Sequence, residues 1–571
     1  MQRGGRVAIR PVGARPVAEA GSGLAPGHRD PVEFGAWLVP YLAGLIAAVS
    51  LLYVFMGIRS STPYGIAGLY TLMSDLASSH GYALPMRVPY YGPGGIPFVY
   101  PPLATYAHAL VVHGLGVSNF FYLRFAPICF TVLCLVPLSL LFWELSRSRL
   151  VSVLAAFFTI TNFILLVWQI HADGTVRAFA LLWTLIGLWL AVRAMRQPTV
   201  TTIGGAALAL AATIASHPMY PVFFFITLFA FTLAGGRREE FARRFAIAAA
   251  VVSGGLLLSA VWWAVMINRY GISTLLYPLR THGGLLGGST LQHPWTFPFL
   301  IVARLGIVDI TLPRRGGAHV LALFLTHPLT AFPSLHLGLS PLPWWPEYAL
   351  GLYGVWTLAR AGQWFLPLWF VLTLLGMGEA GRFIAIIVAL LAAIVIRDAL
   401  LWLAQHPRRG PAYGLGVALL GCALLSSLVG ATKWTLDQKS GISTDDVRMG
   451  QWMQANSPSN SVFLPVTRLS DYEEWYPYLF HRTPDAAFWG AEWTSKFDHE
   501  IALTEAQDQC VQRASLPCLE RLVRTNHLHV SYLTISGRRQ FAVLTRALRG
   551  SGQWTLIYHN PADSVWRHRS A

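Results

Sequence analysis

The sequence predicts an all-α polytopic membrane protein that ends in a small extracytoplasmic α/β domain. Hydrophobic residues make up 54% of the 571 residues and charged residues only 12%, which is too little charge to cover the surface of a soluble protein of this length. The apolar residues come in blocks of roughly 17–25 residues, the length that crosses a bilayer as a helix. From about residue 432 onward, Asp, Glu, Asn, Gln and Ser become frequent again, as expected for a domain in water.

The formal net charge is +16, and much of it lies on arginines between the apolar blocks. This arrangement is typical of the positive-inside rule, by which cytoplasmic loops collect Lys and Arg. Membrane orientation therefore explains the charge better than nucleic-acid binding, and no nucleic-acid partner is predicted. The basic loops contain Arg147/Arg149, Arg193/Arg196, Arg237 to Arg244, and Arg408/Arg409.

Composition divides the chain into three parts. Residues 1–33 are predicted to be a basic, disordered cytoplasmic arm, residues 34–431 the transmembrane domain, and residues 432–571 the extracytoplasmic domain. Polar residues and prolines interrupt the apolar runs of 268–380, so this segment has either two or four spans. The total is then eleven or thirteen, and either number places the C-terminal domain outside. The other spans are predicted near 34–57, 120–145, 150–170, 175–195, 200–217, 219–235, 245–267, 383–403 and 411–431.

A long first outer loop, 58–118, follows the first span. Two of its segments, 65–79 and 103–113, have the amphipathic character of helices that lie in the membrane interface. Long ordered loops are often functional, and this one contains the aromatic residues Tyr90, Tyr91 and Tyr100. Aromatic faces suit sugars and prenyl chains, but they also form interfacial belts in membrane proteins.

The C-terminal domain shows alternating helix and strand signals. A helix is predicted at 444–456, with Ser443 or Thr444 as the N-cap. Cys510 and Cys518 can form a local disulfide if this domain lies outside the cytoplasm. Further strands are predicted at Val462–Val466, His529–Leu533 and Trp554–Tyr558, and further helices at 515–525 and 538–549.

Ionisable residues collect at the predicted outward ends of the spans. Such residues are costly in a membrane and often mark a functional site, although helix ends at the interface are commonly polar for no other reason. Arginine there can bind a lipid phosphate or simply extend to the headgroups. The residues of this set are Asp75, His80, Arg87, Arg124, His171, Asp173, Arg177, His217, Arg269 and Arg382.

The sequence gives little support for a cofactor. His171-Ala172-Asp173 offers two metal ligands or a carboxylate that orients an imidazole, but a short polar turn has the same pattern. No cofactor is therefore predicted, and a divalent metal has no support from residue spacing. In the C-terminal domain, Trp475, Glu492 and Trp493 pair aromatics with carboxylates, which suits either carbohydrate binding or docking on the membrane face.

The order of these features resembles the GT-C superfamily of membrane glycosyltransferases, which includes protein O-mannosyltransferases and aminoarabinose transferases. The resemblance is strongest in the N-terminal third, while the C-terminal domain is similar to that of uncharacterised bacterial members. The motifs that carry it are Ser79-His80-Gly81-Tyr82, Tyr100-Pro101-Pro102-Leu103, Leu123-Arg124-Phe125-Ala126-Pro127, Glu474-Trp475-Tyr476-Pro477, His481-Arg482 and Gly490-Ala491-Glu492-Trp493.

The resemblance implies an enzyme of the bacterial inner membrane that takes a sugar from a polyprenyl phosphate on the outer face. Such an enzyme needs a carboxylate as general base, and Asp75 and Asp173 are the candidates. The family usually has an acidic residue soon after the first span, where this chain has Gly65-Ile66. Either another carboxylate has taken the role, or activity is lost. The implied phosphate-binding residues are Arg124, Arg177, Arg269 and Arg382, and the implied substrate-binding residues are His80, Arg87, Tyr90, Tyr91, Tyr100, His171, His217, Trp475, Glu492 and Trp493.

Three functions therefore stay open at the level of the sequence. The first is a glycosyltransferase whose partners are membrane lipids and a polyprenyl-phosphate-linked sugar. The second is a non-catalytic scaffold that keeps the fold and assembles with other proteins in a membrane complex. The third is a transporter or lipid flippase, which would need a pathway to both faces of the membrane.

Overall fold

The computed structural model describes residues 36–234, 238–281, 308–311, 336–339, 345–377, 380–405, 410–467, 470–537 and 539–569. The predicted arm, residues 1–33, lies outside these described residues. Helices dominate up to residue 437, and a mixed α/β segment follows.

Between residues 36 and 281, the described part of the chain consists of helices joined by short turns, with a long loop after the first helix. In this loop, the helices predicted at 65–79 and 103–113 are present at Gly68–Ser79 and Leu103–Leu115, with a two-stranded ribbon between them. Their place in the membrane interface stays a prediction. The helices are α1 Val39–Arg59, α2 Gly68–Ser79, α3 Leu103–Leu115, α4 Asn119–Ser146, α5 Arg149–Thr161, α6 Phe163–Ile170, α7 Gly174–Arg196, α8 Val200–Ile214, α9 Met219–Leu233, α10 Arg238–Tyr270, α11 Ile272–Thr281, α12 Trp345–Arg360, α13 Phe365–Gly376, α14 Gly381–Gln405 and α15 Gly410–Asp437. The first strands are β1 Arg87–Val88, β2 Ile96–Pro97, β3 Val308–Thr311 and β4 His336–Leu339.

Five of the described helices are long and apolar enough to cross a membrane, and a bent pair adds a sixth. The bend of 65° between α5 and α6 occurs at Asn162, whose side chain accepts a hydrogen bond from the amide of Ile164 at 3.1 Å and so starts α6. The chain is therefore an integral membrane protein. The number of spans, eleven or thirteen, stays a prediction because 268–380 includes residues outside the described ranges.

Helix α14 lies at the centre of the transmembrane part. Every residue from Arg382 to Ala393 on it is buried, and it packs against α5, α12 and α13. A helix that is buried all round needs no polar face, which explains its nearly continuous run of Ile, Val, Leu and Ala. Arg382 at its beginning is the exception, and it belongs to the site described below.

The C-terminal domain contains a five-stranded mixed sheet with strand order β6-β5-β7-β9-β8. Its first helix occupies 444–456 as predicted, and Ser443 caps it by accepting a hydrogen bond from the amide of Asp446 at 3.1 Å. The elements are α16 Thr444–Asn456, β5 Val462–Val466, α17 Tyr476–Phe480, β6 Thr483–Pro484, α18 Phe497–Gln512, α19 Leu516–Thr525, β7 Tyr532–Ile535, α20 Ala542–Gly550, β8 Trp554–His559 and β9 Ser564–His568.

Two boundaries in this domain differ from the prediction. The strand expected at His529–Leu533 begins only at Tyr532, because the sheet register pairs Tyr532 with Phe463 of β5 and the preceding residues are more exposed. The helix expected at 538–549 begins at Ala542. The first shift follows from tertiary pairing, which the local pattern does not encode. The helix is preceded by a turn in which the amide of Gln540 donates to the carbonyl of Gly537 at 2.9 Å.

The two faces of the sheet bury different partners. Phe463 and Tyr532 point to a core shared with the ends of the transmembrane helices that lie next to the sheet. The next residues along each strand, Leu464 and Leu533, point to a core formed with α18, α19 and α20. A disulfide between Cys510 and Cys518, with Cα atoms 5.4 Å apart, joins α18 to α19.

We expect the purified protein to have three titratable thiols before reduction and five after it, because Cys129, Cys134 and Cys422 are free. The measurement is the number of maleimide groups bound per denatured chain, counted once without reduction and once after reduction. The variant Cys510→Ser should show four thiols without reduction, since it releases Cys518. Five thiols in the unreduced parent would contradict the disulfide.

Candidate functional site

The first helix of the outer loop begins against the C-terminal domain. The Glu474 carboxylate accepts hydrogen bonds from the amides of Gly68, at 2.7 Å, and Leu69. The residue before the helix, Ala67, has no side chain that can cap it, so a residue some four hundred positions away satisfies these first amides. Gly68 permits the approach, since a Cβ there would lie 2.6 Å from the carbonyl oxygen of Glu474.

Two neighbouring contacts extend this junction. The Tyr91 hydroxyl donates to the carbonyl of Glu474 at 2.8 Å, and the Trp475 indole donates to the carbonyl of Gly65 at 2.9 Å. Tyr91, Glu474 and Trp475 are each at most 2% exposed. Trp475 therefore docks the C-terminal domain on the outer loop, and its predicted role in substrate binding stays a prediction.

Charge and aromatic rings meet at the beginnings of α7 and α14. Asp173 and Arg177 form an ion pair one turn apart. The guanidinium carbon of Arg177 lies 4.5 Å from the centre of the Trp168 ring, and that of Arg382 lies 5.1 Å from the same ring. Arg382 also lies over Tyr220, at 5.4 Å. These five residues, Asp173, Arg177, Arg382, Trp168 and Tyr220, are called the charged cluster below.

Next to the charged cluster, on the side of the C-terminal domain, lie the rings of Tyr70, Tyr100, His217 and Trp493, which are called the aromatic group below. The hydroxyls of Tyr70 and Tyr100 are 3.3 Å apart. The ring of Tyr100 meets the rings of His217 and Trp493 edge-on, each at a centroid distance of 5.9 Å. His217 in turn lies 5.0 Å from Tyr220 of the charged cluster.

The charged groups of this site act on the Tyr70 phenol. Burial raises the pKa of Tyr70, while Arg177 lowers it and Asp173 and Glu492 raise it further. Asp173, Arg177 and Glu492 therefore all act on one phenol of the outer loop. Four of the residues predicted from the outward ends, Asp173, Arg177, His217 and Arg382, thus converge with Tyr100, Glu492 and Trp493.

Asp75 lies in a second and more exposed group. Its carboxylate is 3.0 Å from Nε2 of His113 and accepts a hydrogen bond from Asn119 at 3.2 Å. Asn119 also donates to the Tyr478 hydroxyl at 3.1 Å. Of the two candidate bases, Asp173 pairs with an arginine and Asp75 pairs with a histidine.

The other predicted residues bind the loop backbone or pack on rings. Arg124 donates to the carbonyl of Ser60 at the end of α1, and Arg269 donates to the carbonyl of Leu84 at 3.0 Å. These two arginines therefore hold the outer loop. The remaining contacts are Arg87 to the Gly95 carbonyl at 3.0 Å, His80 to the Leu76 carbonyl at 2.9 Å, His171 to the Gln438 amide oxygen at 2.9 Å, and Tyr90 stacked 5.7 Å from His481.

Four residues of this site, Trp168, Tyr70, Tyr220 and Glu474, were not among the sequence candidates. The three aromatic residues sit in apolar or amphipathic helices, where an aromatic residue is unremarkable by its pattern. Glu474 belongs only to Glu474-Trp475-Tyr476-Pro477, one of the motifs that carry the family resemblance. The uncapped start of α2 at Ala67 is the one local signal that a partner from elsewhere was needed.

No residue can be assigned to a metal from this geometry. Across the described ranges, no three His, Cys, Asp or Glu side chains are grouped so that they could hold an ion. The charged cluster instead offers one carboxylate and two guanidinium groups, which suits an anionic ligand.

The fold is shared with a solved archaeal oligosaccharyltransferase. The archaeal oligosaccharyltransferase AglB from Archaeoglobus fulgidus, in complex with an inhibitory peptide and a dolichol-phosphate, aligns with 92% of this chain and 74% of its own, at 14% identity and a TM-score of 0.56. The same enzyme tethered to an acceptor peptide aligns with 93% and 74%, at 14% identity and a TM-score of 0.56.

The aminoarabinose transferase ArnT from Cupriavidus metallidurans aligns with 93% of this chain and 97% of its own. Its 13% identity and TM-score of 0.48 carry no further conclusion. No family model and no curated protein sequence matches the chain. The chain therefore shares the fold of the archaeal oligosaccharyltransferase, which agrees with the fold that the sequence resemblance implied.

Burial raises the pKa of Glu474 to about 7, although the amides of Leu69 and Gly68 lower it. A carboxyl whose pKa is higher in the folded state binds its proton more tightly there, so its contribution to stability is present below about pH 4.5 and is lost as the pH rises through about 7. The unfolding midpoint of the parent should fall between about pH 5 and 8. We expect the midpoint of Glu474→Gln to fall less over the same range, because glutamine does not titrate.

The matched control is Glu520→Gln, which removes a carboxylate from the same domain and should keep the pH dependence of the parent. Asp485 and Asp563, whose pKa values burial raises to about 8 and about 7, will maintain some dependence in every variant. The measurement is the unfolding midpoint of detergent-solubilised protein, followed by intrinsic fluorescence. An unchanged slope in Glu474→Gln would overturn this assignment.

Proposed function

We propose that the protein transfers a sugar from a polyprenyl phosphate to an acceptor on the outer face of the bacterial inner membrane. The observation that carries the proposal is the pair Arg177 and Arg382, which flank Trp168 beside Asp173. Two cations and a carboxylate at the ends of apolar helices suit a phosphate whose lipid chain stays in the membrane. The archaeal enzyme with the same fold was solved with dolichol-phosphate, which supports this choice of donor.

The chemistry assigns a task to each charge. The acceptor oxygen attacks the anomeric carbon, the bond from that carbon to the phosphate oxygen breaks, and the electron pair leaves with the phosphate. Arg177 and Arg382 stabilise the negative charge that develops there. A carboxylate takes the proton of the acceptor hydroxyl.

Asp173 is the stronger candidate for this base. One oxygen pairs with Arg177, and the other, Oδ1, is buried and makes no hydrogen bond within the described part of the chain. Asp75 is the alternative, with His113 at 3.0 Å as its partner. Tyr70, Tyr100 and Trp493 offer aromatic faces and Glu492 a carboxylate for the sugar or the acceptor.

The proposed orientation places the C-terminal domain outside the cytoplasm. The disulfide between Cys510 and Cys518 supports this orientation, since disulfides persist in oxidising compartments. At the opposite ends of the helices, Arg147 and Arg196 both pair with Glu144, at 2.7 and 2.9 Å. Basic residues at these ends suit the cytoplasmic side.

One observation favours a non-catalytic scaffold as the second candidate. Gly65, at the position where the family usually has an acid, has a φ of +71°, and a Cβ there would lie 2.8 Å from the Cβ of His171. A side chain at this position would therefore be strained and would clash. Gly65 therefore supplies no carboxylate at this position. The protein is an enzyme if Asp173 or Asp75 acts as the base in its place, and a scaffold if neither does.

The first test is transfer from labelled polyprenyl-phosphate sugars by protein in membranes. We expect Asp173→Asn to lower the rate by about a hundredfold to ten-thousandfold, because asparagine keeps the shape and cannot accept the proton. Asp75→Asn is the matched variant and should lower the rate much less. The reverse order would assign the base to Asp75, and a folded parent that transfers no sugar from any donor would support the scaffold.

The second test measures donor binding without any turnover. Arg177→Gln and Arg382→Gln should each weaken binding of polyprenyl phosphate by about tenfold or more, because each removes a charge-assisted hydrogen bond to phosphate. Arg397→Gln, which removes a partly exposed arginine paired with Asp398, is the control and should bind like the parent. Equal affinity in all four proteins would contradict the assignment of the phosphate site.

A further inference from the structure

The end of the chain is strongly basic. Segment 511–571 contains nine arginines and only two acidic side chains, Glu520 and Asp563. Asp563 is buried, and Glu520 accepts a hydrogen bond from the Trp554 indole at 3.4 Å. The outer surface of this segment therefore has a positive charge that its own carboxylates do not balance.

Four of these arginines lie on two adjacent helices. Helix α19 exposes Arg521 and Arg524, and helix α20 exposes Arg546 and Arg549. A spacing of three residues places each pair on one side of its helix, and the two helices pack against each other. No ion pair forms with any of the four within the described residues. They are called the arginine layer below.

The burial of the two helices keeps the arginine layer at the surface. On α19, Leu516 and Leu519 enter the core beneath the sheet, and on α20 Leu544 and Leu548 do the same. Each helix therefore has one apolar side fixed against the sheet and one charged side in solvent. The position of the guanidinium groups follows from this packing.

The arginine layer lies on the side of the sheet that faces away from the transmembrane helices. Phe463 and Tyr532 point to the core shared with the outer ends of those helices, whereas Leu464 and Leu533 point to α18, α19 and α20. Side chains alternate between the two faces along a strand. The whole thickness of the sheet and of α16 and α17 therefore separates these arginines from the transmembrane part.

We propose that the arginine layer binds an anionic polysaccharide of the cell envelope. The planar guanidinium fork matches the carboxylate or phosphate groups that such a polymer repeats along its length. Lipid headgroups fit less well, because the layer faces away from the transmembrane helices. Nucleic acid fits less well too, because the Cys510–Cys518 disulfide in the same domain indicates a compartment outside the cytoplasm.

This inference stands apart from the proposed sugar transfer, and its test needs no turnover. The protein is placed in phosphatidylcholine nanodiscs and mixed with fluorescent polygalacturonate, whose carboxylates repeat on every sugar, and binding is read by fluorescence anisotropy. We expect binding that weakens steeply between about 0.05 and 0.3 M NaCl, because exposed charges are screened by salt. Neutral dextran should not bind.

The decisive variant is Arg521→Gln/Arg524→Gln/Arg546→Gln/Arg549→Gln, which should bind polygalacturonate about tenfold to a hundredfold more weakly, since each exposed ion pair contributes a modest factor. The matched control removes four exposed cations elsewhere on the outer side, Lys433, Lys439, Arg448 and Lys496, and should keep most of the affinity. An equal loss in both variants, or no loss in either, would overturn the proposal.

Flotation with phosphatidylglycerol vesicles tests the competing partner. If the parent binds these vesicles more tightly than it binds polygalacturonate, and the arginine variant loses that binding, the layer contacts a membrane and the proposal is wrong. Weak vesicle binding that the arginine variant leaves unchanged would support the polysaccharide. Circular dichroism and the unfolding midpoint confirm that each variant is folded.

Discussion

The junction between the C-terminal domain and the loop after the first helix depends on one buried carboxylate. Glu474 of the C-terminal domain binds the first two amides of α2, at Gly68 and Leu69. Those amides have no partner within the helix, and the helix dipole adds positive charge at the same end. Because α2 bears Tyr70 and Asp75, this single contact decides where both the aromatic group and the second carboxylate lie.

Burial makes this contact demanding as well as stabilising. Glu474 is 2% exposed, and a carboxylate without water is stable only when hydrogen bonds replace its hydration. Here two amides do so, while Asp173 nearby opposes the charge. The pair Arg448–Asp445, at 3.1 Å, lies at the surface, where ion pairs contribute little to the free energy of unfolding. The junction of the domains therefore depends on Glu474 and its neighbours, and surface charge plays a smaller part.

The site joins elements that are far apart in the chain. Asp173 and Arg177 come from the start of α7, Arg382 from the start of α14, and Trp493 from the C-terminal domain. The first turn of buried α14 places Arg382 at the end of the helices next to the C-terminal domain. There Arg382 and Arg177 both contact the Trp168 ring. A site built in this way requires both the helical core and the docked domain. Its parts cannot be removed separately without changing the others.

The sequence by itself determined the membrane character, most helix positions and the α/β nature of the C-terminal domain. Length, apolar periodicity and capping residues such as Ser443 are local signals, so these features can be predicted one segment at a time. It also identified Asp173, Arg177 and Arg382 as polar residues at outward ends. Only the tertiary structure decided that these three meet around Trp168, that Asp75 lies apart, and that Glu474 caps α2. Contacts between residues hundreds of positions apart leave no local pattern, and only packing brings them together.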